Sequence, residues 1–352
     1  MNMKKILDFD RLLINARENL RAALKKIDEA GTRLIFITDE SHKLLGSLSD
    51  GDVRRFILSG GQFDSPVLEA ANKNCRYTIN ENSEDLLKTF KNKNLKYIPL
   101  TDANKKILAI YCDDETIKPK TKINLPVVIQ AGGLGTRLYP YTQILPKSLI
   151  PICDKSITEH IIDSFMEYGC DNFYMIVNHK KAIIKAYFAD IEKEYNLTFI
   201  DENVPLGTAG GLFLLKEYIN TPFFLTNCDV LLDVEYSDIY KTHQTQKNIA
   251  TIISAIKHYQ IPYGVLNLNT KGKIESMTEK PNINYITNTG VYLLNNEIIK
   301  DLKPNASISM PEVLQNYLNL GESIGVYPIS GECWNDMGQM NELNQMQKKY
   351  NM

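Results

Sequence analysis

Three glycines in four positions, Gly132, Gly133 and Gly135, come soon after the apolar run Val127-Val128-Ile129. The run is short and β-branched, so it reads as a buried strand. A glycine loop after such a strand lets backbone pass close to a ligand and turns its N–H groups toward an anion. Arg137 places a permanent charge beside that loop, and Lys147, after Pro146, adds a more compact one. The stretch from Leu125 to Pro151 therefore reads as a polyphosphate site. Two familiar glycine loops are excluded. A Walker loop needs Lys and then Ser or Thr after its last Gly, where this chain has Thr136-Arg137. In the dinucleotide pattern the third glycine would fall on Leu138.

Beyond Pro151, strand patterns alternate with helical ones. Helical spacing over 158–168 sets Ile161, Ile162, Phe165 and Met166 on one side. Residues 173–177 read as a strand, 182–195 as a helix and 197–200 as a strand, with further strands at 223–225 and 249–255. This alternation gives an α/β class and a parallel sheet covered on both faces, with ligands at the carboxyl ends of the strands. Polar groups follow several of those ends. Gly207-Thr208-Ala209-Gly210-Gly211 is a second small-residue loop, able to lie close to a flat base, with Thr208 also able to cap a helix. Asp229 closes the run Phe223-Phe-Leu-Thr-Asn-Cys-Asp. A hard cation such as Mg²⁺ is held by one or two carboxylates plus phosphates, and an Asp so placed suits it.

The first third is a duplication. Arg33-Leu-Ile-Phe-Ile-Thr-Asp39 matches Lys96-Tyr-Ile-Pro-Leu-Thr-Asp102 at an offset of 63 residues, and the same offset carries Lys43 onto Lys106 and Leu24 onto Leu87. Each unit reads as a helix and two strands, and neither buries its apolar face alone, so the two are expected to pack together. The first unit ends in Gly46-Ser-Leu-Ser49-Asp-Gly-Asp52, whereas the second has Ala109, Cys112 and Glu115 at the places of Gly46, Ser49 and Asp52. A bulkier turn and a weaker hydroxyl substitute are expected there. Residues 116–124, polar and lysine-rich with Pro119, read as a linker.

Composition limits the remaining choices. A length of 352 residues favours two domains, and a net charge of −2 gives no electrostatic case for nucleic acid or a membrane surface. Six cysteines without C-x-x-C spacing support neither a zinc site nor a disulfide framework, so a cytoplasmic setting is expected.

Taken together, Gly132-Gly-Leu-Gly-Thr-Arg-Leu138 and Pro146-Lys-Ser-Leu-Ile-Pro151 resemble the signature of sugar-phosphate nucleotidyltransferases, and residues 1–115 resemble a tandem CBS module. The resemblance implies a Rossmann-like catalytic domain at 125–352 with a glycosyltransferase-A-like mixed sheet, and transfer of a nucleotidyl group from a nucleoside triphosphate to a sugar 1-phosphate. It gives Gln130, Ala131, Gly132, Gly133, Gly135, Thr136, Gly207, Thr208 and Ala209 to the nucleotide. It gives Tyr263, Gly264, Glu279, Lys280, Asn288 and Thr289 to the sugar phosphate. Arg137 and Lys147 are then catalytic, as are Asp229 and Asp336, which hold Mg²⁺; Asp336 comes from a Trp334-Asn-Asp-Met-Gly element. Cys228 stands where the family usually has Gly. The CBS resemblance implies that Ser49 and Asp52 hold the ribose of a purine-nucleotide effector, with a packing or dimerisation module without a ligand as the alternative, and a homo-oligomer is implied. The arrangement is similar to guanylyltransferases of bacterial surface-sugar pathways, which implies GTP and glucosamine 1-phosphate or N-acetylglucosamine 1-phosphate, as in legionaminic acid synthesis. Mannose or heptose 1-phosphate, and UTP, CTP or dTTP, are left open. A different class of reading is a nucleotide-sensing CBS protein whose transferase half only binds ligand. Arg137, Lys147, Asp229, Lys280 and Asp336, present together, weigh against it.

Overall fold

The structure, a computed structural model, describes residues 3–30, 32–80, 95–113 and 120–350. The chain forms two compact units. One comprises residues 1–119, 257–285 and 330–332, and the other 120–256, 286–329 and 333–352.

In the first unit, β1 (Met3–Ile6) lies beside β6 (Ile107–Asp113), which pairs with β5 (Tyr97–Thr101). Likewise β2 (Leu13–Asn15) lies beside β3 (Leu34–Thr38), which pairs with β4 (Leu44–Ser49). The duplication persists in detail. The bounds of β5 are those of β3 advanced by the sequence offset. Both hairpins carry the same irregularity, between Ile37 and Thr38 and between Leu100 and Thr101. The turn carboxylates repeat as well: Asp39 accepts from Lys43 N at 3.0 Å and Asp102 from Lys106 N at 2.8 Å. Leu12, Leu13, Phe36 and Leu44 share one core with Ile107 and Ile110, so the repeats do bury each other. Gly46 and Ala109, expected in a turn, instead sit within β4 and β6, because the helix begins only after Ser49. Leu87 and Glu115 lie outside the described residues.

The second unit is built on a seven-stranded sheet. It contains β7 (Val127–Gln130), β10 (Asn172–Val177), β11 (Asn196–Asp201), β12 (Phe223–Asn227), β14 (Ala250–Gln260), β17 (Asn282–Leu294) and β18 (Ile324–Ser330), in the order β11-β10-β7-β12-β17-β14-β18. Two small ribbons stand apart from it: β8 (Pro151–Ile152) with β9 (Lys155–Ser156), and β13 (Val230–Leu232) with β19 (Trp334–Asp336). β11, β10, β7 and β12 run parallel, while β17 runs antiparallel to β12. The parallel expectation thus holds for the half carrying the glycine loop, and the whole sheet is mixed. Alternate residues enter opposite layers: Val127 and Ile129 join one core, Val128 the other. That is how a two-periodic strand is buried on both faces.

Helix ends follow their caps. Helix Ile157–Met166 starts with a capping box in which Ser156 and Glu159 satisfy each other's backbone N–H. The helix expected over 182–195 spans Lys181–Ala189. Lys193 Nζ donates to Phe188 O, satisfying a carbonyl of its last turn. The expected linker is partly tied down, since Ile123 N donates to Tyr168 O at 2.8 Å. Among the described residues no helix is long and apolar enough to cross a membrane.

Candidate active site

The glycine loop leaves β7 at its carboxyl end, as the strand-end rule requires. Gly135 adopts φ +67°, and a Cβ there would lie 3.0 Å from Thr142 Cγ2 and 3.2 Å from Lys147 Cβ. Only glycine meets both demands without strain. Thr142 Oγ1 donates to Gly135 O at 2.8 Å, and Lys180 Nζ donates to Thr142 O at 2.7 Å, so Lys180 supports the loop from behind. Thr136 and Arg137 begin the short turn Thr136–Leu138, with Arg137 exposed. Gly133 is exposed, and Ala131 N donates to Ile176 O at 2.9 Å, fixing the loop's root.

Asp229 lies in the turn between β12 and β13, and Cys228 N donates to Gln130 O at 3.2 Å, joining that turn to the end of β7. Lys147 pairs with the Asp229 carboxylate. Asp336 ends β19, where the ladder sets it opposite Val230, the neighbour of Asp229. Met337 N donates to Asp229 O at 2.9 Å and reinforces the junction. Burial, then the charge of Asp229, then that of Glu342, pushes the Asp336 carboxyl up to about 6. Asp336 Oδ1 is buried without a hydrogen-bond partner. An orphaned carboxylate oxygen beside a second carboxylate is a donor set suited to a hard cation whose other ligands come from phosphates and water. Among the described residues no group of three or more acidic, His or Cys side chains forms a metal cage, so such a cation would depend on its substrate. The nearby Cys228 thiol is pushed up to about 12 by burial and then by Asp229, which keeps it a neutral packing group.

The second small-residue loop has an explanation that the sequence reading lacked. It is the short helix Gly207–Gly210, and the chain's own backbone at 306–308 packs against it. Gly207 adopts φ +75°, and a Cβ there would stand 2.6 Å from Ile308 O. Ala209 N donates to that same carbonyl at 3.0 Å. Thr208 is not the helix cap: its Oγ1 accepts from Met310 N at 2.8 Å, while Leu206 occupies the cap position without a side-chain bond. Gln130 Nε2 donates to Thr208 O at 3.1 Å, linking the two loops.

Glu202, given no role from the sequence, sits directly after β11 and is 7% exposed. Its Oε1 accepts from Leu206 N at 3.1 Å, and its carboxylate lies beside Gly132 and Gly211. Burial pushes the carboxyl up, opposed by the Leu206 N–H. The signal available in the sequence was only its place after a predicted strand.

The residues expected at the sugar divide between the units. In the second unit Asn288 is exposed, with its Nδ2 donating to Tyr292 Oη at 2.7 Å. Thr289 is buried and donates to Ile253 O at 2.7 Å, a tie between β17 and β14. The others belong to the first unit, on the antiparallel hairpin of β15 (Val265–Leu268) and β16 (Ile274–Thr278). Val265 faces Thr278, so Tyr263-Gly264 and Glu279-Lys280 converge at one end of it.

The model of the family "Nucleotidyl transferase" matches residues 126–352, and that of the CBS domain matches 8–59. A mannose-1-phosphate guanyltransferase of Candida glabrata is 31% identical over 221 residues, 60% of this chain and 61% of that protein. One from Schizosaccharomyces pombe is 31% identical over 225 residues, 61% of each. The chain thus spans about three fifths of the length of these curated relatives. The crystal structure of HddC from Yersinia pseudotuberculosis superposes with a TM-score of 0.51 at 23% identity, over 64% of this chain and 99% of that one, and so shares the fold. The match over nearly two thirds of its length, on the segment that carries both loops and both carboxylates, makes this chain a member of the nucleotidyl transferase family.

Proposed function

We propose that the chain is a sugar-1-phosphate guanylyltransferase, converting GTP and a sugar 1-phosphate to a GDP-sugar and pyrophosphate. The sugar phosphate oxygen attacks the α-phosphorus, and the α–β bridging oxygen leaves with the pyrophosphate. The glycine loop approaches the triphosphate, and Arg137, exposed beside it, neutralises the leaving group. Lys147, partly buried, pairs with Asp229 and holds that carboxylate in place while contributing its own charge to the phosphates. A Mg²⁺ ion held by Asp229 and Asp336 would supply charge neutralisation at the phosphate oxygens. Glu279 and Lys280 suit sugar hydroxyls and the incoming phosphate dianion, respectively.

The observation that favours GTP is Glu202. A carboxylate accepts two hydrogen bonds side by side, and guanine offers adjacent N1–H and 2-amino donors, whereas the other bases lack that pair. For the acceptor, the arrangement of a CBS module ahead of the transferase favours glucosamine 1-phosphate for legionaminic acid synthesis. The relatives' name favours mannose 1-phosphate as the second reading. Pyrophosphate release from each nucleoside triphosphate, against a panel of sugar 1-phosphates, tests both choices. GTP should be preferred by the wild type and lose that preference in Glu202→Gln; release from no triphosphate with any sugar phosphate would overturn the reading.

A further inference from the structure

The turns that join β3 to β4 and β5 to β6 meet at Lys43 and Lys106, which bridge antiparallel. Leu44 N donates to Lys105 O at 2.8 Å, and Ile107 N donates to His42 O at 3.0 Å. That pattern makes Lys43 and Lys106 a non-hydrogen-bonded antiparallel pair, with Cα atoms about 4.5 Å apart and side chains on one face. Like charges directly opposed on a ladder are destabilising.

The surroundings add to the excess. Two adjoining hollows, about 830 and 620 Å³, share Asp102, Ala103 and Lys105. The larger is also lined by Lys73, Arg76 and Tyr77, the smaller by Lys43 and Lys106. Lys105 Nζ stands 5.4 Å from the centroid of the Tyr77 ring. Among the described residues two acids, Asp39 and Asp102, adjoin these five cations, which leaves three positive charges in excess. Asp39 Oδ1 accepts from Ser41 N and Lys43 N, which hold it in its own turn, and the Lys43 charge is the least of the influences on it. Asp102 Oδ1 accepts likewise from Asn104 N and Lys106 N. Glu40 is paired with Arg17 at 2.5 Å.

We propose that this seam between the two repeats is an anion site that takes a polyphosphate. A monovalent ion would leave most of the excess charge in place, whereas a polyphosphate spans several ammonium groups at once. The site is separate from the ribose position expected at Ser49 and Asp52. Lys43 precedes β4 and Ser49 ends it, so they stand apart by the length of the strand, about 20 Å. The polyphosphate is either free pyrophosphate or the tail of a nucleotide, for which the Tyr77 ring offers a stacking face.

Calorimetric titration of the full chain with inorganic pyrophosphate, at physiological ionic strength, tests this. The Lys43→Gln/Lys106→Gln protein should bind one equivalent fewer than the wild type. Relieved of its like-charge pair, it should also melt no lower without pyrophosphate. Lys105→Gln, which leaves the bridge untouched, should weaken the same equivalent about tenfold. Equal stoichiometry and affinity in all three proteins would overturn the proposal, wherever else on the chain pyrophosphate binds. Displacement from this equivalent by GTP but not guanosine assigns it to a nucleotide tail, and no displacement by GTP assigns it to free polyphosphate.

Discussion

Lys147 and Asp229, 82 residues apart in sequence, form an ion pair whose side chains are only 13% and 12% exposed. A pair so far out of water tolerates the loss of one member badly, because the survivor keeps its desolvation cost without compensation. Asp229→Asn should therefore lose about 3 kcal/mol of stability. Turnover should fall at least about a hundredfold, the scale of one strong electrostatic element. Adding Lys147→Met should recover much of the stability and none of the turnover. Denaturant midpoints of the two single mutants and the double mutant decide this, and additive losses would show that the pair is not coupled.

Asp336 makes stability depend on pH in the opposite sense to an ordinary salt-bridged carboxylate. Its folded pKa, raised to about 6 from a reference of 3.8, means that the folded chain holds the proton longer than the unfolded one. Stability is then unaffected below pH 4, falls as pH rises toward 6, and stays lower above it, by on the order of 3 kcal/mol. Asp336→Asn should consequently melt higher than the wild type at pH 7.5 in the presence of a chelator, with the gap closing by about pH 4. A constant gap across that range would show that the carboxyl is not perturbed in the folded chain.

Gly207→Ala combines an unfavourable φ with a Cβ pressed against Ile308 O. A cost of at least about 1 kcal/mol follows, with the loop shifted from its seat. Thermal melts should show the loss, and, on the proposed chemistry, KM for GTP should rise more than kcat falls. An unaltered melting temperature would mean that the 306–308 segment yields.

Asp52 has a structural task that any effector test must separate out. Its Oδ2 accepts from Ser49 N at 2.9 Å and Ser49 Oγ at 2.6 Å, completing the cap of helix Asp50–Leu58. Asp52→Ala would lose that cap at about 1 kcal/mol, so Asp52→Asn is the cleaner change. It should abolish any response of turnover to purine nucleotides while leaving effector-free turnover and the melting temperature near wild type. A response that survives in Asp52→Asn removes Asp52 from the effector site.

What could be read in advance depended on whether its partner was local. The strands β3 and β5 were legible because the offset aligns Leu34 with Tyr97 and Thr38 with Thr101 residue by residue. The strand, glycine loop and cations around Gly135 were legible because they lie within one short stretch. The reason for Gly207 was not, since the backbone that demands it is at Ile308, about a hundred residues on. Glu202 was missed because an acidic residue in a polar stretch looks like solvated surface until the loops at Gly132 and Leu206 close around it. The tie that the Thr289 hydroxyl makes to Ile253 O was not legible, because a hydroxyl's direction depends on strand register, which a motif does not carry.

The ribbon of β13 and β19 also sets an order of events during synthesis. A nascent chain grown as far as Gly331 already contains the glycine loop, Lys147 and Asp229, but the strand that brings Asp336 opposite Val230 has not yet been made. Until it is, Val230 and Leu232 offer an unpaired edge and the second carboxylate is missing. On the proposed chemistry, catalytic competence therefore waits for β19, and a product terminated before it would engage phosphates without turning them over.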